Sequence, residues 1–301
     1  MTTQHFLSLD DLPLGTLEDL IDRAIDLKAL NKSGAIYEPL KNQTLAMIFN
    51  KASTRTRVSF EVAMRQLGGS SINLNPNDTQ IGRGEPIIDT ARVISSMVDA
   101  IMIRTDAHNK LQEFANYSSV PVINGLTDDY HPCQLLADLQ TLKELRGDIK
   151  GCTIAWVGDG NNVCHSFMNA ARIFGFQLNI ATPVGYEPAP DVIQKNNAAI
   201  ALSNNASESV AGVDVVVTDT WASMGQEDEL KERKQIFAEF CVDEALMAKA
   251  EKDAIFMHCL PAYRGLEVSE AVIEGPQSAV FQEAENRLHA QKALLELLLQ
   301  N

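Results

Sequence analysis

The sequence lacks several features that would assign the protein to a broad class. Positive charge is scarce, because 25 lysines and arginines face 40 aspartates and glutamates and give a formal net charge of −15. Such a surface repels nucleic acids and anionic membranes, so we expect neither as a partner. The sequence has no stretch of about 20 apolar residues, and residues 1–15 do not combine a basic segment with an apolar one. We therefore expect a cytoplasmic protein.

Cysteine is sparse and its spacing does not suit a zinc or redox site. The five cysteines are odd in number, and none forms a Cys-x-x-Cys pair. We expect reduced thiols, with Cys133 and Cys164 in the core. Of the 301 residues, 45% are hydrophobic and 22% are charged, which argues against disorder and favours a soluble protein of about two domains.

Short apolar runs alternate with helical patterns along the chain, which predicts an α/β fold with parallel sheets covered by helices on both faces. The segment Gly147–Gly151 follows a charged helix and precedes a new apolar run, so we place a domain boundary between residues 147 and 148. The predicted strands are 44–49, 71–74, 100–104, 120–124, 153–157, 177–181, 213–219, 254–260 and 279–281. The predicted helices include 16–30, 58–67, 87–97, 135–145 and 163–173.

The most informative stretch is Ser53-Thr54-Arg55-Thr56-Arg57, which joins a predicted strand to a helix that we expect to begin near Thr56. N–H groups at a helix start have no intrahelical partner, and Ser and Thr add hydroxyl donors, so an anion fits there. The helix dipole supplies about 0.3–1 kcal/mol, whereas each hydrogen bond to a charged group gives about 1.5–3 kcal/mol, so arginines decide whether the anion stays. The alternative is an ordinary Ser-capped helix with solvated arginines. The candidate anion-binding arginines are Arg55, Arg57, Arg104 and Arg287.

Nearly every polar cluster of the sequence follows a predicted strand. Ligands of doubly wound sheets bind beyond the carboxyl ends of the strands, so these clusters are candidate ligand contacts. Each cluster alone could be turn chemistry, but six together indicate a site. One of them, Gly158–Asn162, could suggest a dinucleotide fingerprint, but its third glycine position is Val163. The clusters are Ser53–Arg57, Arg104-Thr105, Asn124 with His131–Gln134, Gly158–Asn162, Asp219–Met224 and His258–Pro261.

These residues resemble the carbamoyltransferase family, and within it the ornithine branch. Ser53–Arg57 is similar to the family's carbamoyl-phosphate motif, His131–Gln134 is similar to its second signature, and Arg104 closes a strand as the family's phosphate arginine does. Asp219–Gly225 and His258–Pro261 resemble the ornithine branch's motifs for the second substrate. The resemblance implies transfer of the carbamoyl group of carbamoyl phosphate to the δ-amine of L-ornithine, giving citrulline and phosphate without a metal or cofactor.

The resemblance also implies a role for each matching residue. Cys259, assisted by Asp219, would accept the proton of the δ-amine, while Thr56, Arg104 and His131 would stabilise charge on the carbonyl oxygen. Apart from the resemblance, we expect Arg57 to support the loop through an internal ion pair and Trp221 to serve packing. The implied carbamoyl-phosphate contacts are Ser53, Thr54, Arg55, Thr56, Gln80, Arg104, His131, Gln134, Cys259, Leu260 and Arg287. The implied ornithine contacts are Asn162, Asp219, Ser223 and Met224.

At the level of the whole chain, the resemblance implies a carbamoyl-phosphate domain over residues 1–147, an ornithine domain over residues 148–286, and a final helix, residues 287–301, that returns to the first domain. It further implies ordered closure of the domains over the two substrates. The assembly would be a homotrimer or a multiple of trimers, in which Gln80 reaches the neighbouring subunit's site. The alternatives are a putrescine or N-acylornithine carbamoyltransferase, a nucleotide-dependent oxidoreductase, and a non-catalytic sensor of carbamoyl phosphate.

Overall fold

A computed structural model describes residues 3–75, 84–222 and 230–300. The chain divides into two compact units: unit 1 comprises Met1–Gln140 and Glu285–Asn301, and unit 2 comprises Thr141–Ala284. Each unit contains a parallel sheet flanked by helices, which confirms the predicted fold class. Among the described residues, no helix has the combined length and apolar character needed to cross a bilayer.

The elements alternate between strands and helices through most of the chain. The strands are β1 (Thr44–Phe49), β2 (Ser70–Leu74), β3 (Ala100–Arg104), β4 (Val122–Leu126), β5 (Thr153–Val157), β6 (Gln177–Ala181), β7 (Ile200–Ser203), β8 (Val215–Thr218) and β9 (Ile255–His258). The helices are α1 (Leu14–Lys32), α2 (Thr54–Gln66), α3 (Ile87–Ser95), α4 (His108–Tyr117), α5 (Pro132–Arg146), α6 (Asn162–Phe174), α7 (Pro190–Asn196), α8 (Ala206–Val210), α9 (Leu230–Ile236), α10 (Glu244–Met247), α11 (Glu270–Ile273) and α12 (Val280–Leu299).

The sheet of unit 1 has the order β2-β1-β3-β4, with every neighbouring pair parallel. The chain leaves β1 toward β2 on one side, and β3 lies on the other side of β1, so the strand order reverses between β1 and β3. This reversal opens a crevice at the carboxyl ends of the two strands, where doubly wound sheets bind ligands. The residues that follow β1 and end β3 therefore belong at the binding edge.

The sheet of unit 2 has the order β7-β6-β5-β8-β9, and its neighbouring pairs are also parallel. Here the strand order reverses between β5 and β8, so the same rule directs attention to the residues after Val157 and Thr218. Gly158 has a φ of +132°, and a side chain on Gly160 would meet the backbone of Glu187 and Pro188. Backbone geometry therefore explains why both positions are glycine, and the two glycines are not evidence of a dinucleotide-binding site.

Each unit has a core of apolar side chains on its strands and covering helices. In unit 1, β1, β3 and α4 contribute buried residues that include Ile48, Ile101 and Leu111. In unit 2, the rings of Trp221 and Phe237 stack with their centroids 5.6 Å apart, within a cluster that includes Phe256. The prediction that Trp221 serves packing is confirmed, as are the core positions of Cys133 and Cys164.

Several predicted boundaries were wrong. Helix α2 begins at Thr54, with Ser53 as its N-cap, instead of near Thr56. The predicted strand 279–281 is the first turn of α12, where the Glu283 N–H donates to the Ala279 carbonyl at 2.9 Å. The predicted strand 254–260 ends at His258, because Leu260 has a left-handed φ of 55°. The predicted strands 120–124 and 213–219 lie at Val122–Leu126 and Val215–Thr218.

Candidate active site

In unit 1, the start of α2 presents the predicted phosphate motif at the carboxyl end of β1. Ser53 is extended, and its hydroxyl accepts the Thr56 N–H at 3.4 Å. Thr54, Arg55 and Thr56 form the first turn, whose N–H groups have no partners within the helix. Thr54 is exposed, Ser53 and Arg55 are half-buried, and Thr56 is fully buried. The motif is thus both a capped helix and a set of donors suited to an anion.

A buried chain of hydrogen bonds joins this motif to α5 and α12. Arg287 donates through Nη2 to Thr56 Oγ1 at 2.7 Å and through Nη1 to Gln134 Oε1 at 3.0 Å. Gln134 in turn donates to Asp138 Oδ1 at 2.8 Å. Because the Gln134 amide gives its NH₂ to a carboxylate, its oxygen is left to face Arg287. The three predicted contacts Thr56, Gln134 and Arg287 are therefore brought together, with Asp138 fixing the amide.

Arg104 and His131 lie near this chain of hydrogen bonds. Arg104 ends β3, and its pairing with β4 shifts there by one residue, since Ile103 pairs with Asn124 but Arg104 pairs with Leu126. Both Arg104 and His131 are buried. Burial, followed by the positive charges of Arg287 and Arg104, lowers the pKa of His131 well below its ordinary value of 6.5. The imidazole is therefore neutral at pH 7, and it can donate one hydrogen bond without adding another positive charge.

The remaining predictions in unit 1 concern Arg57 and Gln80. Arg57 lies on an exposed face of α2, where its Nε is 3.7 Å from Glu61 Oε2, so its ion pair is within one helix and exposed to solvent. It therefore does not belong to the buried arginine group, and its support of the loop stays a prediction. Gln80 lies outside the described residues.

In unit 2, Asp219 and Cys259 are in contact at the carboxyl ends of β8 and β9. The Cys259 thiol donates to Asp219 Oδ1 at 3.2 Å, and the Thr220 N–H donates to the same oxygen at 2.8 Å. Asn161 donates to Asp219 Oδ2 at 2.8 Å. The carboxylate is nearly buried, whereas Cys259 is half-buried and so remains accessible. A sulfur and a carboxylate at this separation can share or pass on one proton.

The turn after β9 is held by buried acids. His258 Nδ1 accepts the Leu260 N–H at 2.9 Å, and Nε2 lies 3.3 Å from Glu267 Oε1. This pattern assigns the ring proton to Nε2. The His258 N–H donates to Glu283 at 2.9 Å. These bonds hold Leu260 in its left-handed conformation and fix the direction of the backbone at Cys259 and Leu260, two of the predicted carbamoyl-phosphate contacts.

The remaining predicted ornithine contacts are only partly described. Asn162 is the first residue of α6 and is half-buried at the carboxyl end of β5. Ser223 and Met224 lie outside the described residues, which stop at residue 222 and resume at 230. Arg233 follows this gap and anchors α9, because it donates to the Trp221 carbonyl at 2.7 Å and to Asp159 at 3.0 Å.

Asp219, His258 and Cys259 offer possible ligand atoms within 4.8 Å of one another. Carboxylate, imidazole and thiolate are donor types that suit Zn²⁺. Both ring nitrogens of His258 are already in hydrogen bonds, however, so coordination through that ring would break one of them. The ring of His258 thus stabilises the turn after β9 through its hydrogen bonds. Catalysis without a metal or cofactor stays a prediction.

Sequence reasoning missed several residues that position the predicted ones. Asp138 lies four residues after Gln134 on α5, a spacing that places two side chains on one helix face and could have indicated the contact. Asn161 precedes the first residue of α6, and asparagine is a preferred N-cap residue. The sequence could therefore have indicated that Asn161 caps α6, but not that it bonds to Asp219. No local pattern predicts that Glu267 would meet His258.

Comparisons with known proteins agree along the whole chain. Residues 4–144 match the family model described as aspartate/ornithine carbamoyltransferase, carbamoyl-P binding domain, and residues 150–298 match the one described as the Asp/Orn binding domain. The ornithine carbamoyltransferase of Nitrosococcus oceani is 61% identical over 299 residues, which cover 99% of this chain and 98% of that protein.

Solved structures of similar proteins share the fold over their full length. The ornithine carbamoyltransferase from Pyrococcus furiosus has a TM-score of 0.96 and 48% identity, covering 100% of this chain and 98% of that one. The one from Burkholderia thailandensis has a TM-score of 0.92 and 49% identity, covering 98% of both chains. This chain therefore belongs to the aspartate/ornithine carbamoyltransferase family.

Proposed function

We propose that this protein is an ornithine carbamoyltransferase, which transfers the carbamoyl group of carbamoyl phosphate to the δ-amine of L-ornithine and releases citrulline and phosphate. The single observation that carries the proposal is the full-length identity of 61% to a relative named ornithine carbamoyltransferase. The paired Asp219 and Cys259 add a physical reason. They suit a substrate with two ammonium groups, whereas a dicarboxylate such as aspartate would meet like charge.

Carbamoyl phosphate binds to unit 1 in this proposal. Its phosphate lies against the first turn of α2, where Ser53, Thr54 and Arg55 donate to it and Arg104 adds a buried charge. The same donors then neutralise phosphate as it leaves. The fully buried position of Thr56 and the charges of Arg287 and Arg104 near His131 support this assignment, because an acidic protein can hold an anion only where arginines are concentrated.

The carbonyl oxygen of carbamoyl phosphate gains negative charge as the amine attacks. Thr56 is suited to stabilise it, because its oxygen accepts from Arg287 and its hydroxyl proton is left to donate. Neutral His131 and Arg104 are further donors. Gln134, Arg287 and the carbonyls of Cys259 and Leu260 orient the carbamoyl amide, and fixing that plane places the carbon for attack.

Ornithine binds to unit 2. Its δ-ammonium has a reference pKa of about 10.4 and must lose a proton before it can attack. The Asp219–Cys259 pair accepts that proton, the δ-nitrogen bonds to the carbonyl carbon, and the carbon–oxygen bond to phosphate breaks. Asp219 and Ser223 bind the α-amino group, while Asn162 and the Met224 N–H bind the α-carboxylate.

The proposal extends to assembly and location. We infer a homotrimer or a multiple of trimers in which Gln80 completes the neighbouring subunit's site, and a cytoplasmic location. All five cysteines are free thiols, which suits a reducing compartment.

The nearest alternative is a carbamoyltransferase for putrescine or an N-acylated ornithine. Putrescine has no α-carboxylate for Asn162, and acetylornithine has no α-ammonium for Asp219. Initial rates with the three acceptors at equal concentration separate the functions. We expect ornithine to be preferred at least about 100-fold, since losing a hydrogen-bonded charged group costs about 1.5–3 kcal/mol per contact. A faster rate with either alternative acceptor would overturn the assignment.

A further inference from the structure

Asn161 occupies the junction between β5 and α6 and bonds in two directions at once. Its Oδ1 accepts the N–H groups of Val163 at 3.0 Å and Cys164 at 3.1 Å, which makes it the N-cap of α6. Its Nδ2 donates to Asp219 Oδ2 at 2.8 Å. Two backbone donors on the oxygen settle the orientation of the amide, so the NH₂ group must face the carboxylate.

The bond from Asn161 completes the restraint on Asp219. Oδ1 is held by the Thr220 N–H and the Cys259 thiol, and Oδ2 is held by Asn161. Without the bond from Asn161, the carboxylate would be held through one oxygen only. It could then rotate about χ2, a torsion with a broad energy minimum. A carboxylate offers about four acceptor positions, so it can make these bonds and still accept from a substrate ammonium group.

We infer that Asn161 is a positioning residue for recognition of the amino-acid head group of ornithine. This inference rests on the proposed function. One amide fixes the carboxylate that receives the α-ammonium, and it also fixes the first turn of α6, which carries Asn162 for the α-carboxylate. Asn161 thereby sets the relative placement of the two groups that distinguish an α-amino acid from a simple amine.

The cap alone does not require asparagine. Serine, aspartate and asparagine cap helices about equally well, because the cap uses only a side-chain oxygen. A serine at position 161 would keep the cap but lose the donor to Asp219, and an aspartate would keep the cap but place a second carboxylate against the first. These two substitutions separate a purely structural cap from a residue that positions Asp219.

The experiment compares citrulline formation by wild type, Asn161→Ser and Asn161→Asp. For Asn161→Ser we expect the KM for ornithine to rise about 10- to 100-fold, with the KM for carbamoyl phosphate and the midpoint of thermal unfolding unchanged. For Asn161→Asp we expect a larger loss that shrinks as pH falls from 8 to 6, because a proton shared by two facing carboxylates restores a hydrogen bond. Cys259, which is in contact with Asp219, and His258, which has a ring nitrogen within 4.8 Å of it, are present in all three proteins.

Each result decides the inference. Unchanged ornithine kinetics in Asn161→Ser, or a parallel fall in both substrates' affinity together with a lower unfolding midpoint, would overturn it while leaving the proposed function intact. A pH-independent loss in Asn161→Asp would also count against it. If the wild-type protein forms no citrulline, the proposed function fails and the inference falls with it.

Discussion

At the scale of single residues, Thr56 is the link between the helix start and the buried arginine of unit 1. Its Oγ1 accepts from Arg287, so the hydroxyl proton is directed elsewhere, and the side chain is fully buried. A hydroxyl that accepts from a cation becomes a better donor, because the bonds polarise one another. Thr56 therefore gives Arg287 a second route to the ligand, in addition to its own proposed contact with the carbamoyl amide.

We expect Thr56→Val to weaken carbamoyl-phosphate binding about 10- to 100-fold. Valine has nearly the same shape, but it leaves a buried guanidinium N–H without its acceptor and removes a donor, at about 1.5–3 kcal/mol. Isothermal titration with carbamoyl phosphate at low temperature measures the change. Thr56→Ser keeps the hydroxyl and is the matched control, expected within about threefold of wild type. Equal affinities of the valine and serine variants would contradict this role.

His131 makes the protein sensitive to acid. Its pKa is lowered in the folded state by burial and by Arg287 and Arg104, so below about pH 6.5 the unfolded chain binds a proton that the folded protein does not. Stability is therefore lost as pH falls through this window, by at most about 1.4 kcal/mol per pH unit from this residue.

Urea unfolding between pH 7.5 and 5 tests this effect. We expect His131→Gln to show a shallower fall of the unfolding free energy than wild type, because glutamine cannot take up the proton. His5 and His108, whose pKa values are also lowered chiefly by burial, are common to both proteins and cancel in the comparison. Parallel curves would mean that His131 is protonated equally in the folded and unfolded states.

The sequence predicted residue types at strand ends well, but it could not predict which side chains touch. Ser53 to Thr56 and His131 each follow a strand, a position that the sheet rule identifies. The contact of Gln134 with Arg287 joins positions 153 residues apart and arises from tertiary packing alone. Family resemblance nominated both residues, whereas Asp138 and Asn161, which hold the nominated residues in place, carried no such signal.

At the scale of elements, α12 is attached to unit 1 by a charged cluster near its end. Arg23 of α1 makes two hydrogen bonds of 2.9 Å to the Glu296 carboxylate, Tyr37 donates to the same group, and the Arg23 guanidinium lies 5.1 Å from the Tyr37 ring centroid. Burial alone would raise the pKa of Glu296, but the bonds from Arg23 and Tyr37 outweigh it and lower the pKa. The same helix carries Arg287, so this attachment helps to hold that guanidinium in place.

We expect Glu296→Ala to lower the free energy of unfolding by about 1–2 kcal/mol, because it removes a forked, partly buried ion pair and the acceptor of Tyr37. Chemical denaturation measures the change. Glu285→Ala on the same helix is the control. Its carboxylate is 3.2 Å from Lys32, with both side chains largely exposed, and 3.9 Å from His289 Nε2, so the effect should stay below about 0.5 kcal/mol. Equal losses in the two variants would contradict the assignment.

Most apolar runs of five or six residues were predicted well, and the run of three residues at 279–281 was not. The strands 44–49, 100–104, 153–157 and 177–181 have the predicted bounds. The predicted strand at residues 279–281 was wrong because three apolar residues fit either a strand or a helix. In α12, Val280 is buried and Phe281 is 60% exposed, a difference that only the packed helix determines.

At the scale of the whole molecule, the two units each carry one half of the proposed chemistry. The protein has a net charge of −15, yet Arg104 and Arg287 are buried within one unit, while Asp219 and Cys259 lie in the other. The opposite charge of the two groups matches the opposite charge of phosphate and ammonium. The domain boundary at residues 147 and 148 and the shared site between subunits stay predictions.

Mixing two inactive variants tests the shared site. Gln80→Ala and Arg104→Ala are each expected to be nearly inactive alone. If Gln80 acts in the neighbouring subunit's site, a mixed oligomer contains some sites with both native residues, so activity should partly return after subunits exchange. Mass spectrometry of differently tagged subunits verifies the exchange, and each variant mixed with itself is the control. Verified exchange without recovery would place Gln80 in its own subunit's site or outside any site.

The transfer reaction is tested most directly by following the carbamoyl carbon into the product. Carbamoyl phosphate labelled with ¹³C is incubated with the protein and δ-¹⁵N ornithine, and the product is read by NMR. We expect ¹³C-citrulline with a one-bond coupling between the labelled carbon and the δ-nitrogen, formed in equal amount with phosphate and abolished in Arg104→Ala. Release of phosphate without that coupling, or carbamoylation at the α-nitrogen, would contradict it.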